Sequence, residues 1–574
     1  MSTTSNNARQ SIAAARSLTA VLDYATATHR RAAALLLAFS LLAFVPGFFQ
    51  IPPVDRDEAR FAQATKQMVE RGEYVDIRFQ DEVRYKKPVG IYWLQAAAVK
   101  AGEALGLPNA RTKIWLYRLP SLAGASGAVL LTYWTALAFV ARRAALVAAL
   151  MMASSILLGV EARLAKTDAM LLLTSLAAMG AMARIYLMTR RTPDVAAGWT
   201  IPAILWTALA GGILLKGPLI LMFVGLTALT LSIADRSGRW LWRLRPLAGL
   251  AWMFVLVLPW FVAIVAKSGD SFFMQAIGQD MLAKVTSGRE AHGAPPGFYL
   301  ALFFVTFWPG AVLAALAAPM VWKARREPGA QFLLAWLIPS WLVFEAVMTK
   351  LPHYVLPLYP AIAILIAGIL ERDGLSKGIW LVRGTVGWFL FPGVVAITVL
   401  VGFIVFGGDL GIIAWPLAAA AVILGLFAWW LYEVDGAERA LLRAMMASVF
   451  VAITVYAVTF PMLPNLFPSA LIADEVRATG CERPQVASTF AYQEPSLVFL
   501  LGTDTRFTGG SGAAEFLRRG PCHFALIDAR SERGFVQRAN SIGLRYVLTQ
   551  RIEGYNISIG RPVALTIFRS LETP

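Results

Sequence analysis

The chain has 574 residues, of which 58% are hydrophobic and only 15% charged, and its mean hydropathy is +0.61. Apolar runs of about 17–25 residues recur along most of it, which excludes a soluble enzyme built on one large core. The formal charge of +17 raises the question of which membrane loops hold the excess before any thought of nucleic acid. Two cysteines, Cys481 and Cys522, are too few for a disulfide-rich scaffold or a cysteine-only zinc site.

A basic tail over 1–31 runs straight into the first apolar stretch, with no cleavable signal evident. About thirteen spans are expected, near 32–49, 119–140, 144–160, 169–187, 198–215, 218–234, 246–266, 298–321, 330–348, 355–370, 385–406, 411–431 and 444–462. The pair flanking Lys216 also reads as a single broken hairpin. Basic residues fall unevenly between the two sets of loops. Sixteen, including Arg142, Arg190, Arg243, Arg326 and Arg443, oppose seven: Arg163, Lys166, Lys216, Lys267, Lys284, Arg289 and Lys350. The richer side is expected in the cytoplasm with the amino terminus. An odd span count then places the long first loop, 50–118, and the segment 463–574 together on the opposite, periplasmic face.

Segment 463–574 reads as a small α/β domain, with strands expected near 486–490, 497–501, 524–527, 546–548 and 564–568. Cys481 and Cys522 lie in it, either bonded to each other or free. Gly509, Gly510 and Gly512 lack the context of a nucleotide fingerprint and read as a loop.

Ionisable groups gather in the loops of the basic-poor face, where membrane chains usually keep few. The first loop opens IPPVDRDEARF, placing Asp55, Asp57, Glu58 and Arg60 at the start of a helix expected to end at Gly72. Capping plus a solvated face would account for these charges as well as chemistry would. Phe61, Ala64 and Met68 form one stripe of that helix and Arg60, Lys66, Gln67, Glu70 and Arg71 the other directions, which suits a helix at the membrane surface. A second helix is expected from Pro88. Tyr85, Lys86 and Lys87 precede it, a pattern that fits a phosphate site and equally fits snorkelling lysines. Further loops carry Glu161, Arg163, Lys166 and Asp168; Lys216; and Lys350, His353 and Tyr354. A divalent ion is conceivable, with His292 and Glu58 as candidate ligands, but no ligand spacing specifies one.

The Asp-Glu-x-Arg-aromatic run at 57–61, Lys87-Pro88, the Gly-x-Tyr-Trp run at 90–93, Asp168, the KGP turn at 216–218 and KLPHYVLP at 350–357 occur in this order. Together they resemble the polyprenyl-phosphate-dependent GT-C glycosyltransferases. More narrowly, they resemble the bacterial lipid A aminoarabinose transferases of the protein O-mannosyltransferase-like group. The resemblance covers roughly 35–360. Lys86 stands where the family pattern places an acidic residue. The Trp-Trp-Asp motif of oligosaccharyltransferases is absent, since Trp429 and Trp430 precede Leu431.

This resemblance implies an all-α multispanning domain over 32–462 with a periplasmic α/β domain behind it. It also implies transfer of 4-amino-4-deoxy-L-arabinose from undecaprenyl phosphate to lipid A phosphate at the inner membrane by a monomer. Asp57, with Asp55 and Asp168, is then the catalytic carboxylate. Lys87, Arg60, Lys86 and Tyr354 take the lipid phosphate, and Glu58, Tyr85, Arg163, Lys216, Lys350 and His353 line the substrates. Another sugar on the same type of donor is the nearest alternative, and a membrane transporter is the alternative from a different class.

Overall fold

The computed structural model describes residues 19–191, 198–269, 272, 274 and 294–571. Among them, eight helices are long and apolar enough to cross a membrane: Ile114–Ala136, Asp168–Arg191, Pro246–Ser268, Pro328–Ala346, Pro352–Glu371, Ile379–Gly407, Ile412–Trp430 and Ala437–Met462. The other expected runs form helices too, but shorter ones, so eight rather than thirteen meet the length requirement unaided. Local chain chemistry explains the difference. Thr200–Lys216 and Leu219–Ala234 are parted by Gly217, at φ +71, and Pro218. The run at 298–321 is two helices, Phe298–Thr306 and Ala311–Lys323, with Pro309 in the break, where no amide is available to continue the ladder. Arg142–Ser154 and Ile156–Glu161 are separated by an extended Ser155.

Small residues set how closely these helices approach. A Cβ on Gly124 would stand 2.9 Å from the Ala169 carbonyl carbon, so helix Ile114–Ala136 lies directly on the first turn of Asp168–Arg191. A Cβ on Gly90 would stand 2.7 Å from the Leu214 carbonyl oxygen, so the second loop helix, Gly90–Ala104, lies directly on the end of Thr200–Lys216. These two contacts bring Asp168 and Lys216 beside the first loop.

That loop folds as helix Asp57–Arg71, a short antiparallel hairpin of Arg78–Phe79 with Glu82–Val83, and helix Gly90–Ala104. Gly72 ends the first helix in the left-handed region at φ +66, as the sequence leads one to expect. Phe61, Ala64 and Met68 pack on Tyr85, Val89 and Tyr92. The expectation of a surface helix needs correction, because Gln63, Lys66 and Gln67 are buried as well. The carboxy-terminal domain covers them. Lys66 donates to the Phe499 carbonyl at 2.8 Å, Gln63 to Thr503 Oγ1 at 2.9 Å, and Gln80 Nε2 to the Thr505 carbonyl at 2.6 Å.

The covering domain holds a five-stranded mixed sheet, in spatial order Arg506–Thr508, Gln485–Thr489, His523–Asp528, Arg561–Ser570 and Tyr546–Asn556. The first three are parallel and the last two pair antiparallel. Four of the five expected strands are present. The fifth, at 497–501, is instead helix Pro495–Leu501, opened by a proline at its first position and laid against Asp57–Arg71. The glycine run is likewise not a loop: it follows a strand and begins helix Gly510–Leu517. A side chain on Gly510 would collide with the Ser531 carbonyl oxygen at 2.2 Å, so the glycine serves close helix packing. Cys481 and Cys522 precede neighbouring parallel strands and form a disulfide, with Cα atoms 5.8 Å apart.

One buried ion pair fastens the first loop at both ends. Arg118 donates through Nε and Nη2 to the two oxygens of Glu58, each at 2.8 Å, and its remaining N–H groups to the carbonyls of Phe48, Ile51 and Pro52. Glu58 also accepts from the amides of Val54 and Ala165. Arg118→Met leaves a buried, uncompensated carboxylate and should cost about 3–5 kcal/mol. A melting temperature in detergent within error of wild type would contradict this.

The seam between loop and domain titrates. Ser496 donates its amide to Asp55 Oδ1 at 2.9 Å, and burial, reinforced by Glu494, pushes the Asp55 carboxyl up to about 7. An acid held above its unfolded value of about 3.9 loses stabilising effect as pH climbs from there to its folded value. The stability of Asp55→Asn relative to wild type should therefore grow between pH 4 and pH 7 and then level off. Melting temperatures across that range that differ by a constant amount would remove Asp55 from the effect.

Candidate functional site

Asp55 and Asp57 are separated by Arg56, which caps the first-loop helix at φ +69 and ψ −108, a strained conformation for a non-glycine residue. The Arg56 guanidinium bonds to the Ser558 carbonyl of the carboxy-terminal domain. With the chain turned here, Asp55 is engaged by Ser496 while Asp57, exposed on the first turn of the helix, faces the second and later loops.

Those loops supply a compact charged group. Lys216, the last residue of its helix, bonds to Asp168 Oδ1, and its ammonium lies 5.4 Å from the Tyr354 ring centroid. Lys166 Nζ donates to Glu161 Oε1 at 3.1 Å and stands 3.9 Å from Asp168 Oδ2. His353 sits between the same carboxylates, Nδ1 3.7 Å from Glu161 and Nε2 3.8 Å from Asp168. Ser121 holds the segment by donating to the Lys166 carbonyl at 3.2 Å.

Ligand atoms of Glu161, Asp168 and His353 lie within 4.8 Å of one another, close enough to gather round a metal ion. The donor set does not fit one. The ammonium groups of Lys166 and Lys216 already neutralise both carboxylates, so a divalent ion would add charge to a balanced cluster. Of the ligands suggested by sequence, Glu58 is saturated by Arg118 and two amides, and His292 lies outside the described residues.

A cavity of about 830 Å³ opens beside this group. Asp57, Arg60, Lys166 and His353 line it, and Ile156, Leu157 and Val160 give it an apolar wall. Asp55, Gln493, Glu494 and Ser558 form a further wall where the loop meets the carboxy-terminal domain. A narrower recess of about 90 Å³ shares Asp57, Arg60, Lys166 and His353 with the cavity and adds Lys87, Lys86 and Tyr354. Its lining carries six cationic side chains, Arg60, Arg84, Lys86, Lys87, Lys166 and Lys216, against the carboxylates of Asp57 and Asp168. Such an excess in a semi-enclosed recess attracts an anion of two or more charges.

The fold thus gathers Asp57, Asp168, Arg60, Lys86, Lys87, Lys216, His353 and Tyr354 in one place and sets Asp55 on the neighbouring wall. It points other expected residues elsewhere. Arg163 is buried against the carbonyls of Ala43, Pro46 and Gly159 and the ring of Tyr456. Lys350 donates to the carbonyls of Glu345 and Val347 at 2.9 and 2.7 Å, and Tyr85 to Asp76 Oδ1 at 2.7 Å. Arg84 was not among the expected residues, although it stands two positions before the lysine pair. Glu494 and Gln493 had no sequence signal at all, since only the folded seam brings them to the cavity.

A family model described as dolichyl-phosphate-mannose-protein mannosyltransferase matches residues 103–270. The undecaprenyl phosphate-alpha-4-amino-4-deoxy-L-arabinose arabinosyl transferase of Edwardsiella ictaluri is 28% identical over 348 residues, and that of Pseudomonas aeruginosa 29% over 349; each match covers 59% of either chain. The chain therefore matches under two thirds of the length of these curated relatives. The crystal structure of ArnT from Cupriavidus metallidurans in the apo state superposes with a TM-score of 0.71 at 19% identity, covering 93% of this chain and 97% of that one. The same protein bound to undecaprenyl phosphate gives 0.69 at 20% identity, with the same coverage. The chain is a membrane protein with the GT-C glycosyltransferase fold, similar in sequence and in structure to the aminoarabinosyl transferases.

Proposed function

We propose that this protein transfers 4-amino-4-deoxy-L-arabinose from undecaprenyl phosphate to a phosphate of lipid A, on the periplasmic face of the inner membrane. The observation that carries this reading is the recess with six cations and two carboxylates, set beside a larger cavity with an apolar wall. A polyprenyl-phosphate sugar has matching parts: a greasy tail, an anionic link and a polar head. The sequence relatives, named as undecaprenyl phosphate-alpha-4-amino-4-deoxy-L-arabinose arabinosyl transferases, and the undecaprenyl phosphate bound to ArnT support the same donor.

In the reaction, an oxygen of the acceptor bonds to the anomeric carbon as the bond from that carbon to the carrier phosphate breaks. The bonding pair stays with the phosphate, which gains a negative charge. Lys87, Arg60, Lys86 and Tyr354 are placed to stabilise it, with Arg84 adding a further cation. A leaving group of this kind needs no strong general acid. Asp57 faces the same recess and either orients the acceptor or offsets positive charge growing on the sugar ring; for a hydroxyl acceptor it would take the proton. Asp168, fixed by Lys216 and Lys166, holds the cations in register.

The reading completes the topology: the segment 1–31 in the cytoplasm, thirteen passes over 32–462 in which short helices cross with their neighbours, and domain 463–574 in the periplasm. The disulfide between Cys481 and Cys522 suits that compartment. Lipid A as acceptor and a monomeric enzyme belong to the same proposal. The match to the mannosyltransferase family model favours a second reading, transfer of another sugar to a protein hydroxyl.

Mass spectrometry of lipid A from cells with and without the protein separates the two: an added aminopentose supports the first reading, and unchanged lipid A with altered protein glycans the second. Asp57→Asn should lower transfer at least about a hundredfold at unchanged abundance and melting temperature; full activity would take Asp57 out of the mechanism. Lys87→Ala should weaken donor binding about tenfold or more, which titration of undecaprenyl phosphate measures.

A further inference from the structure

At the basic-rich end of the bundle, remote from the transfer cavity, lies a second recess of about 360 Å³. It is framed by the ends of Asp168–Arg191, Ala311–Lys323 and Pro352–Glu371 and the start of Pro328–Ala346. Three guanidinium groups, of Arg190, Arg191 and Arg372, line it against one carboxylate, Glu327. Arg190 is held by Asp235 and Arg372 by Glu327 at 2.9 Å, while Arg191 is exposed as the last residue of its helix.

Val321 and Leu365 belong both to this mouth and to an adjoining slot of about 360 Å³. Every residue lining the slot is Leu, Ile, Val, Ala, Phe or Trp. Leu300, Trp322 and Leu342 on its rim are about three-fifths exposed, so it opens sideways on the apolar girdle of the bundle. The mouth carries one guanidinium, that of Arg191, in excess of the Arg190–Asp235 and Arg372–Glu327 pairs, and the slot beside it is wholly apolar; side by side they match one chemistry, an anion that carries a hydrocarbon chain.

We propose that this recess binds one anionic phospholipid, with its phosphate at Arg191 and Arg372 and an acyl chain in the slot between Ala311–Lys323 and Pro328–Ala346. The slot fits any acyl chain, because moving a chain from bilayer to groove gains no hydrophobic energy. Selectivity therefore resides in the headgroup, through guanidinium contacts at the membrane surface. The site depends on none of the residues assigned to sugar transfer and stands whatever sugar or acceptor the enzyme uses.

Native mass spectrometry of the full-length protein in detergent, titrated with phosphatidylglycerol or phosphatidylcholine of identical chains, tests this. Wild type should retain one phosphatidylglycerol with roughly tenfold preference over phosphatidylcholine. Arg191→Ala should reduce that preference and Arg191→Lys should keep most of it. Ala318→Trp, at an exposed position lining the slot, should block retention of both lipids without disturbing the core. Glycerophosphate, which has the headgroup without chains, should not compete. Equal retention of the two lipids, wild-type retention by Ala318→Trp, or displacement by glycerophosphate would each overturn the proposal.

Discussion

The rest of the structure hangs on one saturated ion pair. Arg118 has five N–H donors and all five are used; Glu58 accepts four hydrogen bonds, the full capacity of a carboxylate. Both side chains are 1% exposed. Such a pair adds little net stability compared with apolar packing, yet it tolerates only one geometry. The pair and its partners come from the segment after helix His29–Phe44, the start of the loop, the helix after the loop and the second loop. Asp57 precedes Glu58 and Lys166 follows Ala165, so two segments that line the cavity are neighbours of the fastening point.

Charge is balanced in pairs around that point and left unbalanced in the recess that the first loop lines. Glu161 and Asp168 are matched by Lys166 and Lys216, so the floor of the cavity carries no net charge. The positive excess belongs to Arg60, Arg84, Lys86 and Lys87, all from the first loop. This division lets the second loop and the lysine turn act as a rigid base while the first loop presents cations. Strain at Arg56 completes the arrangement by turning two aspartates, only two positions apart, in different directions, Asp55 to Ser496 and Asp57 to the recess.

Much of this was legible in the sequence, and the failures share a cause. The helical runs, the Gly72 stop and the charged loops follow from hydropathy and local backbone preference, which act over a few residues. Helix length is less legible than helix number: Ser155 and Pro309 divide the runs at 144–160 and 298–321 into shorter helices, because composition does not register one interrupted hydrogen-bond ladder. At 497–501 an apolar segment with a proline before it can be strand or helix, and packing on Asp57–Arg71 decides for helix. Arg163 and Lys350 look chemically available in sequence, but backbone carbonyls satisfy them. Glu494 and the buried face of Lys66 were invisible, since both depend on contacts more than 400 positions apart.

The seam between Asp57–Arg71 and Pro495–Leu501 also sets the order in which the chamber is completed. A growing chain acquires its floor and its cations within its first 360 residues, yet the roof of the chamber, Gln493, Glu494 and Ser558, is synthesised last. Until that cap is delivered and seated, Lys66 has no carbonyl to meet and the chamber stands open to water. The chamber is thus closed by the part of the polypeptide made after its floor, and a chain that stops before Gln493 lacks its roof.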